Sequence, residues 1–182
     1  MEMPHEVWLV IDSVVRKLRT FCGLPGFVAV WLAPCWLLLG LAKLAVWTVP
    51  FQRLAKRLGT PAGSSPYCLA IPPQLEHRAR LIRQAIRIAA NYAPWNANCY
   101  PQALAARLLL GYYRVPCLIY FGVRRDEETG AMKAHVWIAC GRVAVTGGYA
   151  FDQFTVAGIF ESGQSPSRQP YSGFEEPTPG KN

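Results

Sequence analysis

Two side chains have the types and the chain order for nucleophilic catalysis: Cys99 in "NCYPQALAARLLLG" and His135 in "AHVWIAC". A thiol attacks as its thiolate, so it needs a base or a positive field beside it. An imidazole can take that proton near neutral pH and later pass it to a leaving amine. A third group orients the imidazole in such sites. Asp152 in "GGYAFDQF" is the nearest acid downstream and the candidate for that place. Its plainer reading is a turn-initiating or surface Asp. Asp126, Glu127 and Glu128 lie in the polar stretch "RRDEETGAMK" and read as solvated charges.

These residues must be held by particular elements. Asn98 suits an N-cap, its side-chain oxygen accepting a first-turn N–H. Cys99 is then the first helical residue, at the positive end of the helix dipole, where a thiolate is favoured. Pro101 fits the first turn, because its missing N–H breaks no ladder bond there. Gly111 is the expected stop. "VPCLIYFGV" reads as a buried strand and "AHVWIACGRVAVT" as a hairpin turning at Cys140 and Gly141. Alternation puts His135, Trp137 and Ala139 on one face, with Val136, Ile138 and Cys140 on the other. A two-residue turn at 140–141 sets His135 opposite Thr146, which is no carboxylate.

Upstream, "PPQLEHRARLIRQAIRIAANY" has helical periodicity. Leu75, Ala79, Ile82, Ile86 and Ala89 form its apolar stripe, and Arg80, Arg83 and Arg87 a basic one. The basic stripe is either a wet face or a dock for an acidic peptide. Helices followed by strands point to an α+β domain, with helices packed on an antiparallel sheet.

The 182 residues are 52% hydrophobic and 16% charged, which excludes a disordered chain. A net charge of +8 suits an acidic partner. No zinc-finger spacing, helix-turn-helix glycine or RNP-like motif supports nucleic acid, so none is expected. The six cysteines form no C-x-x-C pair, so neither a metal site nor a redox pair is expected. The N-terminus lacks a secretory pattern, and a cytoplasmic setting with free thiols is expected.

Three regions follow. Residues 1–59 form an apolar helical segment, with helical spacing over 7–20 and an uncharged run over 27–42. That run approaches the length of a membrane span, but Pro34 and Lys43 favour a helical hairpin packed on protein. Contact of residues 27–50 with a membrane surface stays open, with Arg53, Lys56 and Arg57 as its basic flank. Residues 59–66 are a linker by composition, and 67–160 are the catalytic domain. Residues 161–182, rich in Ser, Pro and Gly, are expected to be a disordered tail.

"NCYPQALAARLLLGYYRVPCLIYFGV" followed by "AHVWIACGRV" resembles the lasso-peptide B proteins, transglutaminase-like cysteine proteases of bacteria that mature ribosomally made lasso peptides. Asn98, Cys99, Ala103 and Leu104 match the family's helix motif. Residues 120–123 match its Gly-Val strand, and His135 with Trp137 its His-x-Trp strand. The resemblance covers residues 36–160, with "VPFQRLAKRLG" preceding the core. It implies a transglutaminase-like or papain-like core and cleavage of a precursor peptide at the leader–core boundary. Cys99 would be the nucleophile and His135 the base. A partner cyclase, which carries the ATP, then closes the macrolactam ring, and this chain itself needs no cofactor. Position 100 is Tyr where the family has Leu. The stretch "VAVTGG" lacks the acid that often follows the His-x-Trp strand, which leaves the third residue open. The first 60 residues do not read as a winged-helix leader-binding domain. Either a separate protein recognises the leader or the N-terminal helices do, and those helices also suit docking of the cyclase.

A leader peptidase is therefore the first expectation. The alternatives are a non-catalytic chaperone of the precursor and a membrane-attached binding protein.

Overall fold

The computed structural model describes residues 23–55, 57–163 and 167–175. The helix expected over 7–20 and residues 176–182 of the expected tail lie outside them.

The apolar N-terminal run becomes one 23-residue helix, α1 (Gly26–Thr48), followed by the short α2 (Phe51–Ala55). By length and composition α1 is apolar enough to cross a membrane, with mean hydropathy 1.9. Yet Val28, Cys35, Leu39 and Ala42, spaced seven, four and three apart, are buried along one stripe. Val28, Cys35 and Leu39 join Ala79, Ile82, Ile86, Ala106 and Leu109 in one core, so α1 packs on the domain behind it. That burial offsets Pro34, which removes one ladder bond inside the helix. The opposite stripe, Val30, Leu37, Leu41, Leu44 and Trp47, is exposed.

Strands β1 (Thr60–Pro61) and β2 (Tyr67–Leu69) lead into α3 (Pro73–Asn91), which buries Ala79, Ile82, Ala85, Ile86 and Ala89. Helix α4 (Cys99–Tyr112) follows. It runs through Gly111 and ends at Tyr112, a correction to the expected stop. The reversal comes instead at Arg114, whose φ of 53° is left-handed, just before Pro116 forbids further helix. Strands β3 (Cys117–Arg125), β4 (Met132–Cys140) and β5 (Val143–Thr146) come next. A 3-10 turn (Gly148–Gln153), β6 (Thr155–Ser162) and β7 (Arg168–Pro170) complete the described chain.

The main sheet is antiparallel, in the order β1-β6-β3-β4-β5, and β2 pairs with β7. The fold is thus α+β, with three helices sharing one face of the sheet's core. The strand alternation read from sequence holds: Val136, Ile138 and Cys140 face the helices. Trp137 and Ala139 face a second cluster with Leu118, Tyr120 and Ile159.

Register differs from expectation. The hairpin turns at Gly141 and Arg142, since Cys140 pairs with Val143 and Gly141 takes φ 58°. An irregularity between Ile138 and Ala139 then sets Thr146 opposite Ile138, not His135. His135 itself pairs with Gly122 of β3.

The tail is also corrected where it is described. Gln169 of β7 pairs with Cys68, and Glu175 bridges to Val143. The Arg80 guanidinium donates two hydrogen bonds to Glu175, at 2.8 and 3.0 Å. Composition suggested no regular structure, but a short strand partner and one bidentate ion pair fix these residues. The same contact answers the basic stripe: the acidic group met by Arg80 is the chain's own. Arg83 turns inward to the Ala144 carbonyl at 3.5 Å. Asp126 is likewise no free charge, being buried, paired with Lys133 and accepting the N–H groups of Glu128 and Thr129.

Candidate active site

Helix α4 begins where its sequence signals put it, at Cys99 after Asn98. The expected side-chain cap is absent: Asn98 has extended backbone but makes no capping bond. Gln102 closes the entry instead, its Nε2 donating to the Ala97 carbonyl at 2.6 Å. The N–H of Tyr100, in the first turn, and the N–H of Val136, from β4, both favour the Cys99 thiolate.

His135 is buried and within hydrogen-bonding reach of Cys99. Burial pushes the Cys99 thiol up. The His135 hydrogen bond, the Val136 N–H, the imidazolium charge and the Tyr100 N–H outweigh burial, and the thiol falls below its ordinary value. His135 moves the opposite way. Its bond with Cys99 raises it, burial opposes, and the Gly147 carbonyl adds to the rise. Both shifts favour a thiolate–imidazolium pair.

His135 Nε2 lies 3.1 Å from the Gly147 carbonyl oxygen. That oxygen can only accept, so Nε2 carries a proton and Nδ1 is the nitrogen left to receive the thiol's. The ring is also held on its faces, with Trp137 stacked at 5.7 Å and Phe154 at 5.2 Å between centroids. Gly147 has φ 65°, and a Cβ there would sit 2.8 Å from His135 Nε2 and 2.9 Å from the Val136 oxygen. Only glycine lets the chain leave β5 at that angle and still aim its carbonyl at the imidazole.

The orienting place expected of Asp152 is thus filled by a backbone carbonyl. Asp152 is exposed on the 3-10 turn, where its charge helps raise the Tyr171 hydroxyl. Sequence reasoning named Cys99 and His135 and missed Gly147, Phe154 and the Val136 N–H. Trp137 was legible as part of His-x-Trp and as a same-face neighbour of His135. Phe154 left no signal, since its place depends on the path after Gly147.

An open cavity of about 380 Å³ lies beside the pair. Its lining is Val46, Val49, Leu54, Cys99, Tyr100, Phe121, Ala134, His135 and Val136. A carbonyl held there would face Cys99 Sγ with His135 in reach, the geometry that acyl transfer needs. No cluster of His, Cys, Asp and Glu suited to a metal occurs among the described residues.

Residues 45–158, more than half of the chain, match the transglutaminase-like superfamily. No curated protein and no solved structure matches.

Proposed function

Because this chain belongs to the transglutaminase-like superfamily, we propose that it is a cysteine peptidase. It removes the leader from a lasso-peptide precursor, so that an ATP-dependent cyclase can close the ring. The observation that carries the reading is the meeting of Cys99, at a helix N-terminus, with His135 on the wall of one open, mainly apolar cavity. The lasso assignment rests on the ordered motifs around those two residues.

The thiolate of Cys99 adds to the scissile amide carbonyl, forming an S–C bond. The oxyanion is met by backbone N–H groups at the start of α4. The His135 imidazolium gives its proton to the leaving nitrogen as the C–N bond breaks. Water then adds to the thioester, with His135 taking one of its protons. The leader carboxylate leaves and the thiolate–imidazolium pair returns. No cofactor enters these steps, and ATP is used on the partner cyclase. Partners in this reading are the precursor peptide, the cyclase and, for leader capture, either a separate protein or this chain's N-terminal segment. The setting is the cytoplasm.

A second reading, attachment to a membrane surface, has its own observation in the exposed stripe Val30, Leu37, Leu41, Leu44 and Trp47. Trp47 ends that stripe, and Arg53 and Arg57 follow it. The two readings are compatible, and retention on anionic vesicles after a salt wash supports the second.

The deciding experiment mixes purified protein, precursor, cyclase and any separate leader-binding protein, and follows fragments by mass spectrometry. Two fragments are expected from the parent and none from Cys99→Ala. An alanine variant that cuts at the parent's rate overturns the assignment.

A further inference from the structure

The cavity beside Cys99 is walled by four separate stretches of chain. Phe121, Ala134 and Val136 come from neighbouring strands β3 and β4, with Phe121 and Val136 directly paired. Cys99 and Tyr100 come from the first turn of α4, and the Tyr100 ring lies 6.4 Å from that of Phe121. Val46, at the end of α1, and Val49 and Leu54 close the remaining side. Among the described residues that line it, none is Asp, Glu, Lys or Arg. About 380 Å³ lies in the range of sites that hold small organic groups. It opens directly onto the nucleophile. Away from the Cys99–His135 pair, a charged side chain entering it would give up hydration against apolar walls, whereas an apolar one would gain.

We propose that this cavity is the specificity subsite. It takes a bulky apolar side chain of the peptide, on the acyl side and within two residues of the carbonyl that Cys99 attacks. The N-terminal segment sets its size. This rests on the peptidase reading above and names the substrate feature that such a peptidase selects. It also gives the stretch from Val46 to Leu54 a role inside the catalytic unit. A segment that served only to dock a partner would have no reason to line the nucleophile's cavity. Ala134 is what keeps the space open: it is exposed, and its methyl group is the smallest side chain on the strand wall. A large residue there fills the cavity without displacing a buried neighbour.

The test uses the full chain and peptidyl acyloxymethyl ketones, which alkylate catalytic cysteines. Leu, Ala, Asp or Arg is placed at each of the last two positions before the ketone, and Cys99 labelling is timed by mass spectrometry. At one of those positions Leu should label about 10-fold or more faster than Ala, and Asp and Arg more slowly still. In Ala134→Trp the advantage of Leu over Ala should vanish, while Leu54→Ala should shift the preference toward a larger side chain such as Phe. Equal rates across side chains at both positions, or a Leu preference that survives Ala134→Trp, overturns the subsite alone. If no probe labels Cys99 while iodoacetamide labels it, the peptidase reading fails and the subsite with it.

Discussion

The outer edge of β4 has a closed half and an open half. Over Ile138–Cys140 it is paired with β5. One step further, beside Val136 and His135, β5 has gone. Gly147 turns the chain away at φ 65°, and the vacated edge is taken by the start of α4. The Val136 N–H, beyond the end of the β4–β5 ladder, favours the Cys99 thiolate instead. The carbonyl of the turning residue goes to His135. The closed half keeps its backbone groups in the sheet, and the open half turns them toward the Cys99 thiol and the His135 imidazole. Because a buried backbone group must find a partner somewhere, ending a strand one residue early is enough to build a site.

Breaking the pair at the open edge should cost the most. His135→Ala should lower peptide cleavage by about 10²- to 10⁴-fold, the usual worth of a positioned base. It should also move the pH at which Cys99 is alkylated. The thiol now sits below its ordinary value because the His135 bond and charge outweigh burial. With the imidazole gone burial still raises it, so the alkylation midpoint should climb. A midpoint that stays put means the helix terminus alone holds the thiolate. In the parent, the His135 shift upward extends the imidazolium form to higher pH. Cleavage should therefore decline on the alkaline side later than an ordinary histidine would dictate.

Gly147→Ala probes the turn that opens the edge. The added methyl group meets His135 Nε2 and the Val136 oxygen, and the backbone angle is strained as well. Activity should fall by about 10²-fold through a misplaced imidazole. Circular dichroism separates this from unfolding: a folded variant with a lowered imidazole pKa by NMR assigns the loss to the carbonyl contact.

Asp152→Ala should do least. Its side chain is exposed. Surface changes of this kind shift stability by about 0.5 kcal/mol or less, and activity should change by less than about twofold. A large loss in kcat would return the orienting role to the carboxylate and make the Gly147 contact secondary.

The N-terminal segment shows how differently two properties of one stretch can be read. That α1 is a helix followed from its apolar run, and Pro34, read as a mark against a membrane span, lies inside it. Which residues turn inward did not follow, since every face of that run is apolar. Only the packing sorts Val28, Cys35, Leu39 and Ala42 from the exposed Val30, Leu37, Leu41, Leu44 and Trp47. Amphipathic α3 was the easier case, because its apolar stripe of Ala79, Ile82, Ile86 and Ala89 is set apart by polar neighbours and is buried as read. Asp152 was the natural guess for an orienting group because sequence reading looks for side chains. The group that holds His135 is a peptide carbonyl, which every residue possesses and no letter marks.

The amino-acid sequence by itself determined the helix start at Cys99, the tolerated Pro101, the strand around His135 and the two faces of that strand. These are local matters, decided by residues within a turn or two of each other. Tertiary structure decided that Thr146 faces Ile138, that Gly147 aims its carbonyl at the imidazole and that Val46, Val49 and Leu54 wall the cavity. Those outcomes depend on where a hairpin turns and where one strand stops. A one-residue shift in either moves every partner to a new address.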